Sequence, residues 1–302
     1  MGNYAAGIIL YNPKIKRLKE NIDAIIPQVK VLYCYNNGLG ENQQIQNLLN
    51  SYQNLVVLGN GNNDGISKAL NCMIEEADKG DIQWLLTLDQ DSVVCDDMIE
   101  SLASLTGIDR IGIICPQIRD VRRKNEQPKM AEKSYEDVDI CFTSGSFMNV
   151  KATKSIGGFD EYLFIDFVDH DICLRMRYEG YRVIRNNNVV LDHELGNLKP
   201  SKLEKFYLKL GSVVHSETIK KLSYKREVSP LRVYYSMRNA IYMKKKFADY
   251  MPAKVWNKRL GKNIVSYMVR GEKKISIIKA INKGIKSGRA KMVVRYSAHK
   301  TV

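Results

Sequence analysis

Long apolar runs are absent from this chain of 302 residues. No stretch of about 18 apolar residues occurs, so the sequence predicts no membrane-spanning helix. The N-terminus has no basic segment followed by an apolar one, and we therefore expect no secretory signal. The six cysteines are widely spaced, without a pair at zinc-ligand spacing, which predicts reduced thiols in a cytoplasmic protein.

Two common phosphate-binding motifs are also missing. The sequence contains neither a Walker A loop nor a GxGxxG turn, so it supports neither an ATPase nor a dinucleotide-binding protein. Histidine is scarce, with four residues in all. Of these, only His193 follows an apolar strand pattern, where an imidazole suits a metal ligand. We assign no role to His170, His215 and His299.

Acidic residues are rare in the last third of the chain. Residues 199–302 contain 27 Lys and Arg but 5 Asp and Glu, a net charge of +22, whereas residues 1–198 carry a net charge of −8. A strongly basic segment predicts an anionic partner such as anionic lipid or a phosphorylated acceptor. Because no nucleic-acid-binding motif is present and the larger part is acidic, we expect no nucleic-acid partner.

The first 120 residues alternate between strand and helix patterns, which predicts a mainly parallel sheet with helical crossovers. The predicted strands are 5–11, 29–35, 54–58, 84–88 and 111–115, and the predicted helices are 14–26, 66–77 and 97–105. Residues 119–137 have the composition of a charged loop. Further along, we predict two short strands within 138–150, a helix over 169–179, and strands over 181–184 and 189–191.

The most informative segment is WLLTLDQDS, residues 84–92, in which a buried-strand pattern leads into two carboxylates. On an extended backbone, Asp89 and Asp91 would point to the same side and Gln90 to the other. Ligands bind at the carboxyl ends of strands in open α/β sheets, and two carboxylates there suit a divalent cation that also holds phosphate. An ordinary acidic turn would have the same composition.

Two further segments carry candidate chemistry. Glycine in the loop Asn63-Asp64-Gly65 permits a close backbone approach, and the helix that follows attracts phosphate at its N-terminus. From the loop alone, an ordinary Asn-rich helix start is favoured over a phosphate site. In FIDFVDHDICLR, Asp169 lies on the loop or in the first turn of the predicted helix and suits a general base. Acidic capping of that helix is the alternative. Asp171 and Arg175 are four residues apart and can pair.

Taken together, these segments resemble the family 2 glycosyltransferases of the GT-A fold. The resemblance covers roughly residues 4–245. It rests on the order and spacing of the Asn-Asn-Gly turn at 36–38, Asn63-x-Gly65 with Asn71, LDQDS, the TSGS segment at 143–146, GGFDEYLFIDFVDHDICLR and His193. LDQDS, FIDFVDHDICLRMRYEGY and LDHELG look most like the rhamnosyltransferase branch. RVYYSMRN at 232–239 resembles a C-terminal helix of polysaccharide-assembly members.

The resemblance implies an α/β GT-A fold: a mixed, mainly parallel sheet flanked by helices, with a basic C-terminal helical extension. It implies a catalytic domain over 1–198, with a nucleotide-sugar half at about 1–118 and an acceptor half at about 138–198, and a helical region over 199–302. It also implies an inverting, metal-dependent transferase that uses Mg²⁺ or Mn²⁺. The predicted substrate-binding residues are Tyr11, Asn12, Asn36, Asn63, Gly65, Asp89, Ser144, Gly145 and Arg175.

The same resemblance assigns the metal and the base. Asp89, Asp91 and His193 would hold the metal, and Asp169 would take the proton of the acceptor hydroxyl. Many relatives have Glu where this chain has Val168, so Asp166 is the candidate to supply that charge or to be the base itself. Many relatives also have Asp at the position of Asn36, which leaves a dTDP-rhamnose donor and a UDP-sugar donor both open.

The basic region predicts the surroundings of the enzyme. Lys244-Lys245-Lys246 alternate with apolar residues, a pattern that suits a helix on an anionic membrane. The alternative is a solvated basic surface whose apolar side packs internally, and we expect a mixture of the two. The expected acceptor is a lipid-linked saccharide at the inner face of a bacterial membrane. A non-enzymatic anionic-lipid or nucleic-acid-binding protein and a metal-dependent nucleotidyltransferase are the competing classes.

Overall fold

The computed structural model describes residues 2–40, 42–120, 132–193, 198–201, 203–220, 223–226 and 229–298. The chain forms two compact units. The first consists of Met1–Phe164, Val168–Glu194 and Ala298–Val302, and the second of Ile165–Phe167 and Leu195–Ser297.

The first unit is built on an eight-stranded sheet in the order β3-β2-β1-β4-β7-β5-β8-β6. Strands β3, β2, β1 and β4 are parallel neighbours, while β7 runs antiparallel between β4 and β5. The strands are β1 (Tyr4–Leu10), β2 (Val31–Asn36), β3 (Leu55–Leu58), β4 (Trp84–Asp89), β5 (Ile111–Asp120), β6 (Tyr135–Asp137), β7 (Ser146–Asn149) and β8 (Arg182–His193).

Helices flank this sheet, as the alternating pattern predicts. They are α1 (Ile15–Ile25), α2 (Gln43–Asn50), α3 (Ile66–Lys79), α4 (Met98–Ala103), α5 (Val150–Ser155) and α6 (Val168–Tyr178). Strand β4 is buried from Trp84 to Leu88 because both faces of a parallel strand are covered. Its first exposed residue is Asp89. The register pairs Ile9 with Asp89 and Leu10 with Asn36, so three strand ends share one edge.

Several local predictions are wrong. Residues 138–143 are not a strand, and β7 begins only at Ser146. The two strands predicted over 181–191 are one continuous strand, β8. Helix α2 lies in a polar segment for which no helix was predicted. Within the predicted loop 119–137, the first residues extend β5 and the last form β6. Residues 121–131 lie outside the described part.

The second unit is mainly helical, with α7 (Glu204–Val213), α8 (Glu217–Lys220), α9 (Pro230–Lys246), α10 (Ala253–Arg270) and α11 (Lys274–Ala290). A short antiparallel pair, β9 (Leu198–Pro200) and β10 (Tyr224–Arg226), accompanies them. Helices α9, α10 and α11 share an apolar core that includes Val233, Tyr267 and Ile277. No helix in the ranges given above is long and apolar enough to cross a bilayer.

The apolar side of α9 is packed inside the unit. This agrees with the prediction that the apolar residues of the basic region pack internally. Ile241, Tyr242 and Phe247 are all buried. Lys244, Lys245 and Lys246 therefore form the last turn of a helix whose apolar side is packed.

Candidate active site

The turn that follows β4 is held to the end of β1 by the side chain between the two aspartates. Gln90 accepts a hydrogen bond at Oε1 from the Tyr11 backbone N–H (2.8 Å) and donates from Nε2 to the Tyr11 carbonyl (3.1 Å). The backbone N–H of Ser92 donates to the Asp89 carbonyl at 3.1 Å, so residues 89–92 form a turn. The expected alternation of an extended strand is therefore wrong beyond Asp89. Asp89 is exposed and Asp91 is half-buried on this turn.

Helix α1 supports the same turn from behind. Asn21 is fully buried and donates from Nδ2 to the Asp89 carbonyl at 2.9 Å. One helical turn earlier, Arg17 donates from Nε to the Asp91 carbonyl at 2.9 Å. Residues four apart lie on one face of a helix, so α1 fixes both ends of the turn.

The TSGS segment braces the turn from the other side. Ser144 is buried, and its Oγ accepts the Asp89 backbone N–H at 3.0 Å and lies 2.9 Å from Ser92 Oγ. Gly145 donates its N–H to the Thr87 carbonyl at 2.7 Å. Its φ is +89°, and a Cβ there would lie 2.9 Å from the Leu191 side chain, so the tight approach requires glycine. Ser144 therefore positions Asp89 by a direct bond, and Gly145 holds the strand two residues earlier, at Thr87.

The backbone of His193, the third predicted metal ligand, lies opposite the same turn. Val93 forms an isolated antiparallel bridge with Asp192. Antiparallel pairing places His193 across from Ser92, which follows Asp91 in the chain. Asp192 is paired with Arg119 through two bonds of 2.6 and 2.7 Å. The side chain of His193 lies outside the described residues.

These groups are candidate ligands for a divalent cation. Among the side chains that the structure describes, no set of three His, Cys, Asp or Glu is placed to hold an ion. Asp89 and Asp91 nevertheless lie on one turn, with the His193 backbone opposite it, and carboxylate oxygens are the ligands that Mg²⁺ and Mn²⁺ prefer. The residues present fit such a cation.

The predicted base-binding residues line the ends of β1 and β2. Tyr11 is 50% exposed, and Asn12, with φ of +46°, donates its N–H to the Gly38 carbonyl at 3.3 Å. Asn36 accepts the N–H groups of Gly38 and Leu39 at Oδ1, at 3.2 and 2.9 Å. The Asn36 side chain therefore shapes the turn beside Tyr11.

The loop before α3 lies at this edge too. Asn63 is exposed and caps the Gly65 N–H at 3.3 Å. Asp64 is bound to Lys68 (3.0 Å) and to the Tyr35 hydroxyl (2.9 Å), bonds that lower the pKa of Asp64. Burial and the bond to Asp64 raise the pKa of Tyr35 to about 12. This cluster fixes the loop to β2.

Gly65 is buried rather than open to a ligand. A Cβ there would lie 2.5 Å from the Phe164 ring and 2.8 Å from the Phe164 carbonyl. That carbonyl also accepts the first N–H of α3, from Ile66, at 2.8 Å. Asn71 joins the two segments further along, since it donates to the Phe159 carbonyl at 2.9 Å and accepts the Phe159 N–H at 2.7 Å. The helix start is thus covered by residues 158–164.

Helix α6 presents Asp169 in its first turn. Asp169 Oδ1 accepts the His170 backbone N–H at 2.8 Å and lies 2.7 Å from His170 Nδ1. The carboxyl side chain is 20% exposed, so it is partly accessible. Cys173 Sγ lies 3.5 Å from Cys141 Sγ, which packs α6 against the segment that leads to Ser144.

Arg175 serves the fold. Its side chain is 6% exposed, and Nε donates to Asp171 Oδ2 at 2.7 Å, which confirms the predicted pair. Its two other nitrogens donate to the carbonyls of Ile156 (2.8 Å) and Gly158 (2.6 Å). These three bonds tie α6 to the loop that covers α3, and we assign Arg175 this structural role in place of the predicted contact with substrate.

Asp166 belongs to the second unit, where its side chain and its backbone carbonyl both accept hydrogen bonds. Its Oδ1 accepts bonds from Arg232 Nε (3.1 Å) and Nη2 (3.0 Å). Asn239 donates from Nδ2 to the carbonyls of Ile165 (2.8 Å) and Asp166 (2.9 Å). Asp166 and Phe167 both have positive φ, +63° and +68°, a conformation that persists only when neighbouring groups hold it. The RVYYSMRN helix therefore fixes this strained segment.

Comparison with known proteins identifies the family of the chain. The profile of the family described as Glycosyl transferase family 2 matches residues 6–176, more than half of the chain. The chain belongs to glycosyl transferase family 2. This family 2 glycosyltransferase is also 25% identical over 260 residues to the dTDP-rhamnosyl transferase RfbF of Shigella flexneri, covering 81% of this chain and 80% of that protein. The predicted rhamnosyltransferase-like resemblance is confirmed.

Solved structures agree on the fold of this family 2 glycosyltransferase. S. aureus TarS 1-349 in complex with UDP-GlcNAc superposes with a TM-score of 0.57 at 14% identity, over 95% of this chain and 81% of that one. GalNAc-T7 with UDP, GalNAc and Mn²⁺ superposes with a TM-score of 0.59 at 11% identity, over 96% of this chain. The match spans 56% of the GalNAc-T7 chain. The GT-A fold predicted for the chain is confirmed.

Five supporting residues of this glycosyltransferase were missed in the sequence. They are Arg17, Asn21, Gln90, Ser92 and His170, which hold the turn or contact Asp169. One signal was present: Asn21 interrupts the apolar face formed by Leu18, Ile22 and Ile25 on α1. A polar residue on a buried helix face needs a partner, and here the partner is the turn. The other four give no comparable pattern.

Proposed function

We propose that this glycosyltransferase moves L-rhamnose from dTDP-L-rhamnose onto a saccharide acceptor with inversion at the anomeric carbon. The observation that carries the donor assignment is the similarity to a dTDP-rhamnosyl transferase over 81% of the chain. A UDP-sugar donor is the alternative, supported by the likeness to structures that contain UDP or UDP-GlcNAc.

The nucleotide is proposed to bind where the ends of β1, β2 and β4 meet. Tyr11 offers an exposed ring, and Asn12 and Asn36 frame the adjoining turn. Asn63 supplies an exposed amide from the loop before α3. Ligands of open α/β sheets bind at this edge, outside the carboxyl ends of the strands.

Asp89, Asp91 and His193 are proposed to hold Mg²⁺ or Mn²⁺ at the same edge. When bound, the cation neutralises charge that develops on the leaving diphosphate. The protein's own contribution is the rigid turn: Gln90, Asn21 and Ser144 fix its backbone through direct hydrogen bonds, so the carboxylates need little reorganisation.

Asp169 is proposed as the general base. Its carboxylate accepts the proton of the acceptor hydroxyl, the hydroxyl oxygen bonds to the anomeric carbon, and the bond from that carbon to the diphosphate oxygen breaks. His170, 2.7 Å from Oδ1, orients the carboxylate. Asp169 is favoured over Asp166 because Asp166 Oδ1 already accepts two hydrogen bonds from the Arg232 guanidinium.

The acceptor is proposed to be a lipid-linked saccharide at the cytoplasmic face of a bacterial membrane, with the protein bound peripherally. Support comes from the net charge of +22 on residues 199–302, which suits an anionic lipid surface.

The experiment that tests this function is a donor panel. The purified protein is incubated with Mn²⁺, dTDP-rhamnose or several UDP-sugars, and an extract of lipid-linked saccharides, and the released nucleotide is identified by chromatography. Release of dTDP from dTDP-rhamnose is expected. Release of UDP alone would replace the donor, and release of pyrophosphate would instead indicate a nucleotidyltransferase.

A further inference from the structure

Helix α7 carries an apolar face that the described residues leave uncovered. Leu203, immediately before the helix, is 54% exposed, and Phe206, Leu210, Val213 and Val214 are 58, 37, 68 and 50% exposed. At about 100° per residue, these five side chains fall within an arc of about 100° around the helix axis. Five of the six exposed apolar side chains of this segment are therefore grouped along one side of α7, and Leu208, which is 38% exposed, lies outside the arc.

The remaining faces of α7 differ from this one. Gly211 is buried against α8, where a Cβ would lie 2.8 Å from the Lys220 backbone nitrogen. Tyr207, half-buried, borders one edge of the apolar arc and carries a polar hydroxyl. Lys205 and Lys209 are exposed and lie beyond the other edge. This is the arrangement of a helix that lies in a lipid interface: an apolar face bordered by basic and aromatic residues.

The exposed face of helix α10, in the same unit, differs from that of α7 because it contains charged residues. Its exposed apolar residues Val265 and Val269 share an arc with Lys258 and Lys262, which are exposed as well. Charged side chains thus interrupt the apolar surface of α10, whereas no charged residue falls inside the α7 arc.

We propose that α7 inserts this apolar face into an anionic lipid bilayer, with Lys205 and Lys209 at the headgroups. The proposal deepens the proposed function, on which it rests for a lipid-linked acceptor. Anionic lipid is favoured over a second copy of the chain, because two copies would bring together regions that each carry a net charge of +22. Lipid headgroups compensate that charge instead.

The test is vesicle sedimentation with the full chain. Wild type is compared with the double variant Phe206→Ser/Val213→Ser on α7, and with Val265→Ser/Val269→Ser on α10 as the matched control. Vesicles are phosphatidylcholine alone or with phosphatidylglycerol. Wild type is expected to bind the anionic vesicles. Losing two inserted apolar side chains is expected to weaken that binding about tenfold or more, while the α10 variant stays within about twofold of wild type.

Three results would overturn the proposal. The first is equal vesicle binding by the α7 variant and wild type, and the second is no binding by wild type to either vesicle. The third is a wild-type dimer in light scattering that the α7 variant converts to a monomer, with no vesicle binding. Circular dichroism and the Tm confirm that each variant is folded, as expected for exposed positions.

A transfer assay on a water-soluble saccharide separates this proposal from the proposed function. The α7 variant is expected to keep wild-type turnover there, because the soluble acceptor needs no membrane. If wild type transfers no rhamnose but still binds vesicles through α7, the proposed function fails and the membrane assignment stands.

Discussion

At the scale of single residues, the candidate site depends on which carboxylate is able to accept a proton. Asp169 lies beside His170, while Asp166 is bonded twice to Arg232. A general base must be within reach of the proton that it accepts, and the bonds to Arg232 already engage one carboxylate oxygen of Asp166. The two aspartates, three residues apart, therefore have different surroundings and call for different roles.

Replacing Asp169 with Asn is expected to lower kcat by roughly 10²–10⁴, because the amide cannot take the acceptor proton. Donor binding is expected to be retained, since Asp169 lies on α6 rather than at the ends of β1 and β2. Steady-state kinetics give kcat, and calorimetry with dTDP gives the affinity. Near-normal turnover in Asp169→Asn would remove the base assignment and make Asp166→Asn the next variant.

Replacing Gln90 with Ala is expected to loosen the turn between the two aspartates. The variant loses both hydrogen bonds to the Tyr11 backbone, each worth about 1 kcal/mol, so we expect about tenfold weaker nucleotide binding. Calorimetric titration with dTDP measures this. Gln53→Ala, at an exposed surface position, is the matched control and should bind as wild type does. Equal affinity in the two variants would show that Gln90 does not organise the site.

At the scale of elements, the strands that build the site were predictable because burial determines their composition. Five apolar-run strands and four helices appear close to their expected positions, including β4 and α3. The strand predicted before Ser144 does not form. Its apolar pattern instead reflects buried positions outside a strand, such as Cys141, which contacts Cys173. Helix α2 was missed because its apolar positions are few, with Ile45 and Leu49 buried among polar residues.

The packing of the loop that covers α3 can be measured by adding a methyl group at Gly65. Gly65→Ala combines a positive φ of +87° with a clash against Phe164, whereas Gly157→Ala has a positive φ of +83° and nothing within 4 Å. The cost of placing an alanine at a positive φ is common to both variants and amounts to about 1 kcal/mol or more. Gly65→Ala is therefore expected to lower the free energy of unfolding by about 1–3 kcal/mol more than Gly157→Ala does.

Urea denaturation of the two variants measures that difference. Equal free energies of unfolding would mean that Phe164 does not pack on Gly65 in solution. The interpretation of Gly65 as a packing residue, with its backbone covered by residues 158–164, would then be wrong, and the phosphate-binding alternative at the start of α3 would regain support.

At the scale of the whole molecule, the sequence located the site better than it explained it. Asp89 and Asp91 were predicted from the end of an apolar strand and Asn36 from the family resemblance, and the structure brings the ends of these strands to one edge. The supporting contacts could not be predicted, because Gln90 to Tyr11 and Asn21 to Asp89 join residues 79 and 68 positions apart in the chain. Such contacts depend on the strand order, which a local pattern does not contain.

Ligand binding stabilises the native state as a whole. A ligand that binds only the folded protein raises the Tm by an amount set by its concentration relative to Kd. We expect dTDP to raise the Tm more with Mn²⁺ than without it, because Asp91 is proposed to hold the cation next to the diphosphate. Asp91→Asn should lose the Mn²⁺-dependent part of the shift and keep the remainder.

The control for this measurement is Asp96→Asn, at an exposed position beyond the turn, which should keep the full Mn²⁺-dependent shift. If Asp91→Asn also keeps it, Asp91 does not bind the metal. If wild type shows a shift with dTDP that Mn²⁺ does not change, the nucleotide site stands and the metal assignment of Asp89, Asp91 and His193 fails. Because the readout is thermal stability, either result is independent of whether the acceptor has been identified.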